Sequence, residues 1–139
     1  MSRQLVSRLG QVSLLEGLSR AEFDAFARVV RVERVPAGRT LCQEGDPAHQ
    51  FFLIGEGRAV VERGGRLVAE LDSGDSFGEL ALLDRGPRSA TIRAETEMVL
   101  FVVDELDFSA LLDEVPALAR KLLATLAGRL RRAEARPLD

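Results

Sequence analysis

Two charged residues inside one apolar stretch carry the most pointed chemistry in the sequence. Glu79 and Arg88 lie within Phe77-Gly78-Glu79-Leu80-Ala81-Leu82-Leu83-Asp84-Arg85-Gly86-Pro87-Arg88-Ser89-Ala90-Thr91. Glu79 to Leu83 are good helix formers with room for about one turn. Gly78 has no Cβ, so an anion can approach the backbone N–H groups at the start of that turn. Gly86-Pro87 then turns the chain, and Arg88 follows at once. Amides and a guanidinium together suit a phosphate. A carboxylate cannot bind that phosphate, because like charges repel, but it suits a donor such as a sugar hydroxyl on the same ligand. The plain alternative is a salt bridge between Glu79 and Arg88 on a solvated loop, a kind of pair that contributes little. The apolar neighbours Phe77, Leu80, Leu82 and Leu83 favour the ligand reading, since they set both charges against the wall of a core.

The stretch resembles the phosphate-binding cassette of the cyclic nucleotide-binding domain family. The resemblance rests on Phe77 to Leu82, a short variable loop, and Pro87-Arg88-Ser89-Ala90-Thr91, and it extends more weakly over nearly the whole chain. It implies that Glu79 takes the ribose 2′-hydroxyl and that Arg88 clamps the cyclic phosphate. Backbone N–H groups around Gly78 and Leu80, and around Ser89 and Ala90, would complete the cradle, and Phe77 and Ala81 belong to the same expected ligand-binding set. Family members that favour cyclic GMP often carry threonine directly after the cassette arginine. Ser89 stands there, as in many cyclic AMP binders, so cyclic AMP is the first expectation and cyclic GMP the second. No cofactor is expected beside the nucleotide.

The resemblance also implies a lid, a C-terminal helix that closes over the ligand. In one group of bacterial regulators a Thr-Ser pair late in that helix reads the adenine. The matching positions are Ala133 and Glu134, so the polar base contact is missing. Bacterial channel domains of the family use an arginine late in the same helix, and Arg129 resembles it. Arg129 borders the helix's apolar stripe, and its planar guanidinium can stack on a purine. The alternative is a solvated basic residue.

The rest of the composition excludes several functions. At 139 residues the chain suits one domain with a real core, and its 46% hydrophobic and 29% charged content is that of an ordinary globular protein. The net charge of −3 argues against nucleic-acid binding as the main task. One cysteine, Cys42, rules out an internal disulfide and reads as a structural thiol in an apolar-polar alternation. Cys42 and the one histidine, His49, cannot build a four-ligand zinc site. His49 beside Pro47 reads as a surface turn residue. No nucleophile or metal set accompanies Glu79, so no enzyme is expected. The N-terminus lacks a signal peptide's apolar centre and no run reaches membrane-span length, which predicts a cytoplasmic location.

Positioning the cassette requires strands. Ser19 with Glu22 forms a capping-box pattern before a helix carrying Phe23, Phe26, Ala27 and Val30. From Val30 the period changes to alternation. Short strands follow at Val30 to Val35, Thr40 to Gln43, Gln50 to Ile54, Arg58 to Arg63, Arg66 to Leu71, Ser89 to Glu95 and Glu97 to Val103. Gly55-Glu56-Gly57 reads as a turn, and Gly64-Gly65 is a hairpin signal. Asp104 is placed as an N-cap, with Phe108, Leu111 and Leu112 on one face of the helix behind it. Pro116 opens the last helix near its first position, Leu118, Leu122, Leu123, Leu126 and Leu130 form its stripe, and Pro137 stops it.

The expected fold is therefore mainly β with flanking helices, an antiparallel β-barrel or jelly roll (double-stranded β-helix) with N-terminal helices and two C-terminal helices. The chain divides as N-terminal helices over 1–29, β-barrel over 30–103 with the cassette at 77–91, and C-terminal helices over 104–136, all one domain over 1–139. The expected function is a cyclic nucleotide-binding sensor that signals by movement of the C-terminal helix. The alternatives are a nucleotide-blind interaction or dimerisation domain, or a regulatory piece of a larger channel or enzyme. Expected partners are the cyclic nucleotide, and a second copy through the C-terminal helix or an effector protein. No DNA-binding domain and no membrane span are expected in this chain.

Overall fold

A computed structural model describes residues 1–135. Three helical pieces open the chain: α1 (Arg3–Gly10), a single 3-10 turn at Ser13–Leu15, and α2 (Arg20–Val29). The Ser19 hydroxyl accepts from the Glu22 N–H at 3.2 Å while the Glu22 carboxylate accepts from the Ser19 N–H at 2.8 Å. The capping box is formed, and by satisfying donors that the first turn leaves unpaired it fixes the start of α2 there.

The strands are β1 (Arg31–Val35), β2 (Thr40–Cys42), β3 (Gln50–Glu56), β4 (Ala59–Arg63), β5 (Arg66–Leu71), β6 (Ser76–Phe77), β7 (Thr91–Ala94) and β8 (Met98–Asp104). They make two antiparallel four-stranded sheets, ordered β1-β8-β3-β6 and β2-β7-β4-β5. The sheets lie face to face in a jelly-roll arrangement and do not close into a barrel. Between β6 and β7 the cassette contributes one short helix, α3 (Glu79–Asp84); α4 (Glu105–Glu114) and α5 (Pro116–Glu134) follow the last strand.

Period-2 alternation in β3 and β8 explains why both strands read as unbroken apolar runs. Phe51, Leu53, Phe101 and Val103 face the helices, packing with Leu9, Phe26, Phe108 and Leu118. Phe52, Ile54, Leu100 and Val102 face the opposite sheet and pack with Val35, Cys42 and Ile92. One pair of strands thus divides two hydrophobic layers, one under the helices and one inside the roll.

Several local expectations are corrected. β3 continues through Gly55 and Glu56, and the turn is made by Gly57 and Arg58, with Gly57 at φ 99°. Gly55 is there for a packing reason: a Cβ on it would come within 2.7 Å of the Phe101 ring. The strand predicted from Ser89 begins at Thr91, leaving Ser89 and Ala90 as irregular backbone. Asp104 does occupy the N-cap of α4, but its side chain makes no cap bond and accepts from Arg31 at 3.2 and 3.3 Å. On α5 the predicted stripe splits, with Leu118 and Leu122 buried and Leu123 and Leu130 exposed. The stop predicted at Pro137 and the last predicted helical position, 136, lie outside the described residues.

Candidate functional site

Gly78 adopts φ 95° and caps the N-terminus of α3. That left-handed conformation favours glycine, and space adds a second reason: a Cβ on Gly78 would sit 2.8 Å from Arg88 Nη1. The Arg88 guanidinium occupies the room that glycine leaves. Nη1 donates to the Gly78 carbonyl at 2.9 Å and Nη2 to the Gln50 carbonyl at 2.7 Å. Its carbon lies 5.9 Å from the centre of the Phe52 ring, and Phe52 stacks on Phe77 at 4.8 Å. Arg88 is 8% exposed, and among the described residues it has no carboxylate within ion-pair distance. The fold has buried a cation and surrounded it with neutral oxygens.

Glu79 is the matching buried anion, 2% exposed on the first turn of α3. It does not pair with Arg88, so the solvated salt bridge between those two is not formed. Its partner is Arg129, fifty residues on in α5, whose Nη1 donates to Glu79 Oε1 at 2.5 Å. The side chain of Arg129 is 42% exposed, so the pair is sealed at the carboxylate and open at the guanidinium. This gives Arg129 a third position beside the two weighed from sequence: it is neither simply solvated nor independent of the cassette.

The remaining predicted residues divide between wall and backbone. The Phe77 and Ala81 side chains are buried, and Phe77 belongs to the layer inside the roll. Leu80 lies in the first turn of α3 with its side chain exposed. Ser89 and Ala90 follow Arg88, and neither N–H donates to an acceptor among the described residues. Burial of Cys42 pushes its thiol up to about 11, with the nearby Arg88 charge pulling the other way.

Sequence reasoning missed the residues that hold the cassette in place. Gln50 and Phe52 were read only as core strand, yet they support Arg88 through a carbonyl and a ring face. Arg63 was read only as the end of a hairpin strand, yet its Nε donates to the Ser89 carbonyl at 3.1 Å. Val61 and Ala69 are cross-strand partners, as are Ala59 and Leu71. The alternation that puts Ala59 into the roll puts Val61, Leu71 and Ala69 on the same inner face, with Ala69 exposed. Strand periodicity was the available signal, but it does not say which inner positions lack a neighbour. A cavity of about 820 Å³ opens between the cassette and α4, bordered by Leu82, Leu83, Pro87, Leu106 and Leu112. It is lined by Ala81 but by neither Glu79 nor Arg88, so the buried charges, not the volume, single out the candidate site.

The model of the family described as the cyclic nucleotide-binding domain matches residues 32–115. A cyclic nucleotide-gated potassium channel of Rhizobium etli is 38% identical over 114 residues, which cover 82% of this chain and 32% of the channel. The crystal structure of Thermus thermophilus catabolite activator protein superposes with a TM-score of 0.81 at 34% identity, covering 87% of this chain and 59% of that one. The regulatory domain of Toxoplasma gondii PKA with cAMP superposes with a TM-score of 0.77 at 27% identity, covering 90% of this chain and 49% of that one. The chain spans about a third of the length of the curated relatives it matches.

Proposed function

The chain belongs to the cyclic nucleotide-binding domain family, and on that premise we propose that it is a single regulatory domain over residues 1–139 that binds cyclic AMP against the Phe77 to Thr91 cassette and signals through α5. The observation that carries the reading is the buried Arg88, which has no counter-ion among the described residues. A buried guanidinium is ordinarily paired with an anion, because desolvating an unpaired charge is costly. Two of its five N–H groups go to protein carbonyls, and among the described residues the other three have no partner, which leaves them for a phosphate. The amides of Ser89 and Ala90 next to it supply further donors. Glu79 takes the ribose 2′-hydroxyl; a carboxylate has about four lone-pair sites, so it accepts that hydroxyl without releasing Arg129. Val61, Ala69 and Leu71 then offer an apolar floor to the base, with no polar group on them to prefer adenine over guanine. Discrimination falls to Ser89 and the lid, and cyclic AMP binds at least as tightly as cyclic GMP.

Signalling follows from the Arg129–Glu79 pair, which ties the far end of α5 to the ribose-binding carboxylate. A ligand that favours the tied state over the released one shifts α5 toward the cassette. The domain regulates and does not catalyse. Its partner is an effector protein or a second copy, and Leu123 and Leu130, a heptad apart and exposed on α5, suit the second copy. No helix among the described residues is long and apolar enough to cross a membrane; we place the domain in the cytoplasm, where its nucleotide is made and read. Titration calorimetry with cyclic AMP and cyclic GMP tests the reading. Saturable binding at about micromolar concentration is expected, with cyclic AMP equal or tighter. Absence of heat with both nucleotides, confirmed by an unshifted melting temperature, would leave a nucleotide-blind interaction domain.

A further inference from the structure

We propose that Arg63, at the end of β4, is a positioning residue for the phosphate cradle: its guanidinium holds the Ser89 carbonyl so that the Ser89–Ala90 peptide presents its N–H to the ligand. The inference rests on the cyclic nucleotide reading above and names the part of the same site that sets how it grips the phosphate.

The cassette leaves α3 through Arg88, Ser89 and Ala90, which belong to no helix or strand. Backbone outside regular elements needs its geometry imposed from elsewhere. Two of the bonds that impose it are neutral and come from the loop between β2 and β3. The Gly45 N–H donates to the Arg88 carbonyl at 2.9 Å, and the Arg88 N–H donates to the Asp46 carbonyl at 2.8 Å. The third comes from a different sheet strand and carries charge: Arg63 Nε donates to the Ser89 carbonyl at 3.1 Å. Successive carbonyls, Arg88 and Ser89, are thereby held by the protein. The peptide bonds are trans, so each N–H points away from the carbonyl of its own peptide plane. Among the described residues the N–H groups of Ser89 and Ala90 are left without an acceptor, and Ala90 is only 7% exposed. Ser89 is exposed and Ala90 is buried, and a buried N–H group is rarely left unpaired, so the Ala90 N–H asks for an acceptor.

Arg63 is itself anchored. The adjacent Gly64 N–H donates to Glu44 Oε1 at 3.0 Å, and the Glu44 N–H donates to Thr91 Oγ1 at 3.0 Å. The hairpin tip is thus fixed to the same limb that Arg63 reaches. Its cross-strand partner is Arg66, a like charge, and among the described residues no carboxylate lies within ion-pair distance of Arg63. The cation is therefore not neutralised and faces the cassette. A charged donor on a carbonyl also polarises the peptide, which makes the Ala90 N–H a stronger donor.

The test measures wild type, Arg63→Ala and Arg63→Lys against cyclic AMP and its two phosphorothioate diastereomers. Sulfur accepts hydrogen bonds poorly, so the diastereomer with sulfur toward the amides binds wild type more weakly than the other. Arg63→Ala is expected to weaken cyclic AMP binding about threefold to tenfold. It is also expected to bring the two diastereomers closer in affinity, because both changes act on one contact. Arg63→Lys recovers part of the loss, since an ammonium can still donate to the Ser89 carbonyl, and it carries the test should the alanine variant fail to fold. Equal weakening of both diastereomers, with their ratio unchanged, makes Arg63 a merely structural residue and overturns the proposal. Wild-type affinity and ratio in the variants, or a wild type that does not distinguish the diastereomers, also overturns it. A wild type that binds none of the three nucleotides removes the cyclic nucleotide reading itself.

Discussion

Arg88 is a cation that the fold buries against two backbone carbonyls, at 2.9 Å from the Gly78 oxygen and 2.7 Å from the Gln50 oxygen. Holding the guanidinium by its own fold's carbonyls lowers the side-chain entropy lost on binding. Removing a charged hydrogen-bond partner costs about 1.5–3 kcal/mol, so Arg88→Ala is expected to weaken cyclic AMP binding about tenfold to a hundredfold in calorimetry. Arg88→Lys weakens it too, because an ammonium cannot fork between two carbonyls and a phosphate. Wild-type affinity in Arg88→Ala removes the phosphate assignment. Glu79 is tested by a cycle in which the protein and the ligand are each changed. Glu79→Ala loses more affinity than Glu79→Gln, and 2′-deoxy cyclic AMP shows little further loss on the alanine variant, because both changes delete one interaction. Additive losses would show that the carboxylate serves Arg129 alone.

At the scale of elements the question is what ties α5 down. Its first half is fixed by burial, through Leu118 and Leu122, and by Lys121, whose ammonium donates to the carbonyls of Ser13 and Glu16 beside the N-terminal 3-10 turn. Beyond that the helix carries the exposed Leu123 and Leu130, and the pair from Arg129 to Glu79 is its described bond to the cassette. The far half is therefore the part that ligand occupancy can hold or release. Arg129→Ala is expected to lower affinity severalfold for both cyclic nucleotides while leaving the melting temperature within a few degrees. A chain ending before Gly128 is expected to behave the same way. Wild-type affinity in either variant ends the lid role, whereas a lower melting temperature with normal affinity per folded molecule makes Arg129 a stability residue only.

For the whole molecule, the clearest linkage to folding runs through Cys42, buried between the two sheets. Burial pushes its thiol from 9.0 to about 11. The folded chain then keeps a proton that the unfolded chain has lost, so this contribution to stability is complete below about pH 9 and is lost as pH rises to about 11. The slope in that window is about 1.4 kcal/mol per pH unit. With no tyrosine and one lysine in the sequence, few other side chains titrate there. Urea unfolding followed from pH 8 to pH 11 is expected to show stability falling above pH 9 in wild type and a flatter profile in Cys42→Ala. A wild-type profile that stays level to pH 11 would mean the thiol is not desolvated.

Features whose partners lie within a few positions were legible in the sequence. The Ser19–Glu22 capping box, the Gly64-Gly65 hairpin, Pro116 at the start of α5 and the Gly78-Glu79 turn all form where their residues predicted, because each is a bond or a backbone angle decided locally. Seven of the eight strands followed from alternation and turn signals, and the apolar runs at Gln50 to Ile54 and Glu97 to Val103 pointed to strands covered on both faces; β6, only Ser76–Phe77, and the order of strands within each sheet came from the tertiary structure. Periodicity says which side chains turn inward but not what meets them there. Only the tertiary structure set Gln50 and Phe52 under Arg88, Phe101 over Gly55, and Arg63 on the Ser89 carbonyl. It also decided that Glu79 and Arg88, nine positions apart and opposite in charge, do not pair. Long side chains take the partner that packing brings within reach, and packing brought Arg129 from α5 to Glu79 while leaving Arg88 among neutral carbonyls.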